Sequence, residues 1–435
     1  MEKLFKLKEH GTTVSREIIG GITTFLAMAY ILAVNPGMLG ETGMGFGPVF
    51  TATAISAAIA TLCMAFMANL PIALAPGMGL NAFFTYTVCF QMGCSWQFAL
   101  TAVFLEGLLF ILLSFFNVRE TIIKSIPATM RKAVAVGIGL FICLIGLNNA
   151  GLVGSDLGTI IAFYNLNKVT ALVAVLGLII TIVLYILKVP GAILIGIILT
   201  TLIGIPFGVT TIPENFTPFS RPSAPHLFAF EWKNVLTLKF FGVFFTFLFS
   251  DMFDTIGTLM GVTEQAGLTD EKGNIPRAKG ALLSDAIGTV VGACTGTSTV
   301  TSFVESSSGV AAGARTGLSS VVTAVLFALS LFLSPLFALV PSAATAPALI
   351  FVGFLMLKSV TSIPFDDPTE GIPAFITIMV MPFAYSISKG IAWGMIVYVI
   401  CKCAGKKFKD ISIVTWIVAV IFLIDIFCQA MGWIG

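Results

Sequence analysis

The chain has 435 residues, of which 57% are hydrophobic and only 10% charged, with a formal net charge of +2. Soluble domains carry about 25% charged residues, whereas here apolar runs long enough to cross a bilayer core as a helix recur from end to end. This composition excludes a soluble globular protein, the absence of short alternating segments excludes a membrane β-barrel, and so small a net charge names no partner; the chain reads as an all-α polytopic membrane protein.

Several chemistries are excluded residue by residue. The only histidines, His10 and His226, fall in the N-terminal tail and in a long connection, so no histidine proton relay or metal site is expected inside the membrane. The eight cysteines are scattered through apolar runs and read as small buried hydrophobes. Cys401 and Cys403 form a C-x-C pair with no second pair to complete a zinc site. Gly405-Lys406 lacks the glycine five residues earlier that a phosphate-binding loop requires, so no ATPase is expected in the chain. Neither a cofactor nor a nucleic-acid partner is expected.

In chain order, residues 1–16 carry Lys3, Lys6, Lys8 and Arg16 against Glu2 and Glu9 and read as a short cytoplasmic tail, because no small-residue cleavage site follows. Spans are predicted near 17–36 and 48–70, then a broken segment at 72–93, then spans near 97–117, 132–148, 167–187 and 190–206. A polar, Pro-rich connection covers 207–236. The second half runs 238–261, 280–294, a second broken segment at about 295–315, 317–337, 345–358, 372–387 and 390–403. The basic stretch KCAGKKFKD leads into a last apolar run, 411–433, which reads either as an interfacial helix or as a further crossing.

The count is seven elements, a connection, seven more and a tail. Seven crossings leave the chain on the opposite side of the membrane, so a second copy starts inverted, as in many secondary transporters. The first repeat is then 17–206 and the second 237–403, with 404–435 as a C-terminal basic stretch and apolar helix. With the N-terminus inside, the basic loops at 119–132, Lys188, 274–280, Arg315, Lys358 and KCAGKKFK all fall inside, as the positive-inside rule requires.

The broken segments are third in each half, that is, segments 3 and 10. The first reads NLPIALAPGMGLNAFFTYTV (69–88); Pro71, Pro76, Gly77 and Gly79 deny it a continuous helix, so a short extended piece should precede a half-helix starting near Asn81. In the second, the Thr- and Val-rich piece 297–304 favours a strand, followed by Glu305, three serines and a small-residue helix. Irregular backbone survives at membrane depth only where protein or a cavity satisfies it, and matched interruptions point to a midplane binding site.

Within the apolar stretch FFGVFFTFLFSDMFDTIGTLMGV, Asp251 and Asp254 are three residues apart and share one helix face. A carboxylate at the bilayer centre costs roughly 2.5–3.5 kcal/mol on insertion scales, so the pair is expected either to bond a neighbouring helix or to face a substrate cavity. Two acids on one turn repel if both ionise, which favours one holding a proton. Thr258 extends the polar stripe, and Gly257 with Gly261 forms a small-xxx-small pair suited to helix packing. Glu305 stands at the start of the second half-helix, and Asn81 is expected at the equivalent junction of the first, where its amide serves as an N-cap or as a donor and acceptor for a heterocycle. Phe83, Phe84 and Phe303 flank these junctions and suit either packing or the faces of a planar ligand. Glu106 and Asp285 are further acids in or beside spans. Membrane carboxylates without histidine suit proton coupling, with sodium as the alternative ion.

EIIGGITTFLAMAYILAVNP (17–36), APGMGLNAFF (75–84), SDMFDTIGTLMGV (250–262) and TSFVESSSGVAAGARTGL (301–318) together resemble the AzgA-like branch of nucleobase–cation symporters, related to the nucleobase/ascorbate transporters, over nearly the whole chain. The resemblance implies a multi-pass permease of the cell membrane, cytoplasmic at its N-terminus, that imports hypoxanthine, guanine or adenine with protons. It also implies two inverted seven-helix repeats of the UraA-like kind, often in a homodimer. Elements 1–4 and 8–11 (17–117 and 238–337) would form a core domain that moves like an elevator against a gate domain of elements 5–7 and 12–14 (118–206 and 338–403). By position it assigns purine binding and proton coupling to Asn81, Asp251, Asp254 and Glu305. Asp-Thr-Ile-Gly (254–257) resembles the Glu-x-x-Gly of uracil and xanthine carriers, which makes Asp254 the first choice for contact with the base.

The rivals are a carrier of the same fold for an anion, a pyrimidine or ascorbate, a channel, or a membrane-embedded enzyme. Acids around the site would repel an anion. A channel needs a continuous polar lining, whereas the polar positions here cluster at one depth. An enzyme needs a nucleophile–base set or a metal cluster, for which no membrane histidine is available.

Overall fold

The computed structural model describes residues 2–115, 127–156, 159–163, 168–269, 275 and 277–430. Its elements fall into fourteen segments and one more helix. Segment 1 is a helix in two pieces, Val14–Met28 and Ile31–Leu39. Segment 2 runs Phe46–Cys63 and widens into a π-helical turn, Met64–Ala68. Segment 3 is a strand, β1 (Leu74–Pro76), a half-helix, Met78–Ala82, and a π-helical stretch, Phe83–Gln91. Segments 4 to 7 are Trp96–Phe115, Ala128–Asn149, Val169–Ile186 and Ala192–Gly204. Segments 8 and 9 are Leu238–Gln265 and Ala278–Thr295. Between segments 5 and 6 the chain forms a hairpin of β2 (Val153–Asp156) and β3 (Thr159–Phe163), an element not expected from sequence, although the β-branched run there suits it.

Segment 10 is the strand β4 (Val300–Ser302) followed by the half-helix Ser306–Ala311. Segments 11 to 14 are Gly317–Ser330, Ser342–Leu357, Pro368–Phe383 and Ile387–Ala404. Among the described residues, nine helices are long and apolar enough to cross a membrane. Both expected interruptions are present, each a strand leading into a short helix.

The helices pack in two sets. Segment 9 lies against segments 2 and 4, segment 11 against 1 and 2, and the half-helix of segment 10 against 1. Segment 5 lies against 12 and 13, 13 against 14, and 6 against 7 and 12. Segment 8 and the half-helix of segment 3 touch both sets. In the first set the contact is tight: a Cβ on Gly309 would lie 2.0 Å from Thr24 Oγ1 and 2.5 Å from Gly20 O, so only glycine lets segments 1 and 10 approach this closely.

Buried polar groups bind distant parts of the first set together. Glu17, fully buried in segment 1, accepts from the backbone N–H of Arg315 (2.8 Å), Thr316 (3.3 Å) and Ser319 (3.2 Å) at the start of segment 11. A carboxylate there satisfies N–H groups that have no intrahelical partner and complements the helix dipole. Asn69 ends segment 2 in the left-handed region, a conformation its short polar side chain tolerates. It accepts from Gly317 N (2.9 Å) and donates to Phe5 O (3.1 Å).

The basic stretch after segment 14 is tied to the loop before segment 13. Lys407 Nζ donates to Asp367 Oδ2 at 2.7 Å, and this bond, with those from Thr369, holds the Asp367 carboxyl at about 2. The last helix, Ile413–Ala430, then packs beside segment 14. Ile411 and Ala419 pack with Val399, and Phe422 meets the ring of Phe249 in segment 8 at 6.4 Å. Side chains beyond Ile424 lie outside the described residues.

Candidate functional site

β1 and β4 pair antiparallel in mid-fold, with Leu74 opposite Ser302, Ala75 opposite Thr301 and Pro76 opposite Val300. Gly77 N donates to Thr299 O and Phe303 N to Ala73 O, each at 3.0 Å, so the backbone freed by the two breaks is satisfied between the repeats. From this ladder the two half-helices point their N-termini at one region, beginning at Gly77 and Glu305. Such N-termini present unpaired N–H groups and the positive end of a dipole.

Segment 8 passes beside this junction. Asp254 is partly exposed, and a Cβ added to Gly77 would lie 3.6 Å from its Oδ2 and 2.5 Å from Thr301 Cγ2. Gly77 thus keeps the backbone within reach of the carboxylate. Glu305 and Asp285 lie within electrostatic range of Asp254. Asp251 is fully buried, and the single hydroxyl of Thr255 lies between acids of segments 8 and 9, 3.3 Å from Asp251 Oδ1 and 2.7 Å from Asp285 Oδ1, and 2.8 Å from Thr301 Oγ1. The two aspartates differ in burial, Asp251 being fully buried and Asp254 partly exposed, and Asp285 lies near both. Thr258 lies buried one turn beyond Asp254.

Glu305 is buried, and Tyr30 Oη donates to its Oε1 at 2.6 Å. Asn81 is fully buried; its Oδ1 accepts from Ser298 Oγ, and its Nδ2 donates to Pro76 O at 3.4 Å. The half-helix starts earlier than the sequence suggests. Gly77, not Asn81, holds the capping position, and Asn81 sits one turn inside, because the extended backbone already ends at Gly77.

Aromatic side chains close around the junction. Phe83 meets Phe247 edge-on at 4.8 Å, Phe84 lies 6.4 Å from the same ring, and Phe303 is buried. Phe83 also lines a cavity of about 650 Å³ between segments 3, 8 and 14 and the last helix, with Thr87, Thr246, Ser386 and Lys389. Nearby, segment 3 touches the second packing set: Asn149 Nδ2 donates to Tyr86 Oη at 3.1 Å, and the Tyr86 and Tyr385 rings lie 6.4 Å apart.

Glu106 and Asp285 support the junction from behind. Thr299 donates to Glu106 at 2.9 Å, and Asp285 holds Thr255. Gly257 and Gly261 do not form the packing pair expected of them: both are exposed, and a Cβ on either would meet no atom within 4 Å. Their face of segment 8 is open rather than set against a helix. Among the described residues, no three His, Cys, Asp or Glu side chains are placed to hold a metal ion.

Four residues of this site escape sequence inspection: Tyr30, Thr255, Ser298 and Thr301. Tyr30, Thr255 and Ser298 each bond an acid or amide at the junction, and Thr301 bonds the hydroxyl of Thr255. Their signal, a hydroxyl in a span, recurs too often in the chain to single them out.

Comparison with known proteins follows this geometry. The sequence profile of the Permease family matches residues 15–393. An adenine permease of Escherichia coli (strain K12) is 44% identical over 427 residues, 98% of this chain and 96% of the relative. A guanine/hypoxanthine permease of Bacillus subtilis (strain 168) is 44% identical over 436 residues, 98% and 99% of the two chains. Among solved structures, the transmembrane domain of a cyanobacterial bicarbonate transporter superposes with a TM-score of 0.65 at 15% identity, over 87% of this chain and 97% of its own. At that identity the likeness concerns the fold alone.

Proposed function

The chain belongs to the Permease family, and from that premise we propose that it imports purine nucleobases, hypoxanthine, guanine or adenine, by proton symport. The observation that carries the reading is the approach of Asp254, from segment 8, to the start of the half-helix at Gly77, with Glu305 of segment 10 within electrostatic range of Asp254. A neutral planar base carries ring and exocyclic N–H groups that need acceptors, and its carbonyl or ring nitrogens need donors. Carboxylates supply the first and half-helix N–H groups the second. Phe83 and Phe303 suit the ring faces, and Asn81, held by Ser298, fixes the wall of the site. Thr258 stands by on the segment 8 stripe. A carboxylate at this depth also exchanges its charge for a proton, so the loaded and empty carriers differ in the cost of crossing; Asp254, Asp251 and Glu305 are the groups assigned to that exchange.

On this reading the first packing set is a core domain (17–117 and 238–337) that carries the site, and the second a gate domain (118–206 and 338–403). The core moves like an elevator against the gate, in a homodimer with its N-terminus cytoplasmic. Polar contacts such as Asn149 to Tyr86 span the proposed boundary in only a few places, which suits sliding. The relatives named for adenine, guanine and hypoxanthine support the purine class. An anionic substrate would meet repulsion from Asp254 and Glu305.

Uptake of radiolabelled hypoxanthine, competed with excess guanine, adenine, xanthine and uracil, tests this. Block by guanine or adenine, indifference to uracil and collapse with a protonophore are expected. Asp254→Ala should abolish uptake while the protein remains in the membrane. Normal accumulation by Asp254→Ala, or no purine uptake in cells that contain the protein, overturns the reading.

A further inference from the structure

Tyr30 has no part in the assignments above, yet it is fully buried and its hydroxyl reaches Glu305 Oε1 at 2.6 Å from a different repeat. It stands at the break in segment 1, where Leu32 N and Ala33 N reach back three residues, to Ala29 O (3.1 Å) and Tyr30 O (3.0 Å). A tightened turn in mid-helix commonly marks a functional joint. Glu305 occupies the capping position of its half-helix, but its carboxylate makes no capping bond to that helix. Tyr30, not the helix end, therefore holds it. Asp254 also lies within electrostatic range of the Tyr30 hydroxyl.

We propose that Tyr30 is a positioning residue for substrate binding: it fixes the Glu305 carboxylate through Oε1, leaves Oε2 to the base, and couples the joint of segment 1 to the half-helix of segment 10. This rests on the reading of Glu305 as a substrate group. A phenol suits the task, because it offers one donor without a competing charge on a ring with two torsions. An acceptor held in place before the ligand arrives loses less freedom on binding. A hydrogen bond to a carboxylate also weighs on its protonation, so the same contact bears on coupling.

Tyr30→Phe keeps the ring and removes only the hydroxyl. The KM for hypoxanthine should rise roughly tenfold, the scale of one lost charge-assisted hydrogen bond, with Vmax within about twofold. The pH profile of uptake should move, and membrane abundance and melting temperature in detergent should match the parent. Unchanged KM and pH profile overturn the proposal, as does a lowered melting temperature with unchanged KM, which makes the role structural. A second measurement removes dependence on transport rates: the purine Kd of purified protein for Tyr30→Phe, Glu305→Gln, Glu305→Ala and the paired variants. Tyr30→Phe should weaken binding less in the Glu305→Gln background, where the bond from Tyr30 meets a neutral amide and is no longer charge-assisted, and not at all in Glu305→Ala, which has no acceptor; equal weakening in the parent and in Glu305→Ala means that Tyr30 does not act through Glu305, and overturns the proposal. Impairment by Glu305→Gln but not by Tyr30→Phe defeats this inference alone, whereas indifference to Glu305→Gln defeats the assignment of Glu305 and this inference with it.

Discussion

In the first repeat the half-helix Met78–Ala82 starts on a glycine, carries the neutral amide of Asn81 and runs on through an aromatic stretch to Gln91. In the second, Ser306–Ala311 starts on an acid, is followed by serines and stops at Gly313, whose φ of 109° few side chains tolerate. One break is long, apolar and uncharged; the other is short, polar and ionisable. Two copies of one device have thus divided the work. On the proposed reading the first shapes a wall, and the second supplies charge. Neither is complete alone, because Asn81 is held by Ser298 of the second repeat and Glu305 by Tyr30 of the first. Ser306 Oγ likewise accepts from Ala73 N at 3.0 Å across the ladder.

The largest test of that division is Glu305→Gln, which keeps size and the capacity to accept from Tyr30 but removes charge. Hypoxanthine uptake at matched membrane abundance should fall on the order of 100-fold, the scale of about 3 kcal/mol that a charged hydrogen-bond group contributes. A rate within a few-fold of the parent would make the second break a wall like the first and erase the contrast.

Much of this contrast is legible in sequence. Prolines and glycines at 71–79 and a Thr/Val run at 297–304 mark the two breaks, and the acids are visible because they stand in apolar runs. What is hidden is the pairing. Tyr30 and Glu305 are 275 residues apart and Ser298 and Asn81 are 217 apart, so no local pattern joins them. Asn81 misleads for a related reason. Asparagine favours capping positions, but the ladder with Thr299 fixes Gly77 as the last extended residue and sets the helix start one turn earlier. The Gly257–Gly261 spacing matches a packing motif, and only the neighbours of segment 8 reveal that, among the described residues, no atom lies within 4 Å of a Cβ there.

The contrast extends to the helices that follow each break. Segment 4 is capped locally, with Ser95 Oγ accepting from Phe98 N at 3.1 Å. Segment 11 has a long local cap, Thr316 Oγ1 accepting from Leu318 N at 3.4 Å, and adds the buried carboxylate of Glu17 from afar. Glu17→Ala removes the acceptor shared by three backbone N–H groups and should lower stability by about 3 kcal/mol, read as melting temperature in detergent. Ser95→Ala, losing this cap and a bond to Glu231 at an exposed site, should cost about 1 kcal/mol. Equal losses would remove the distinction between the two repeats at this level.

The smallest effect is expected at Ser298. Its hydroxyl donates to Asn81 Oδ1, and both side chains are fully buried. Ser298→Ala leaves the amide oxygen without that donor but changes no charge, and Asn81 retains its bond to Pro76 O. The amide then has more freedom to turn, so the KM for hypoxanthine should rise about three- to tenfold, the scale of one neutral hydrogen bond, with an unmoved pH profile. That last readout separates the two breaks: Tyr30→Phe, acting on an acid, should move the profile, and Ser298→Ala, acting on an amide, should not. A profile that moves equally in both variants would mean that charge and shape are shared across the ladder rather than divided between the repeats.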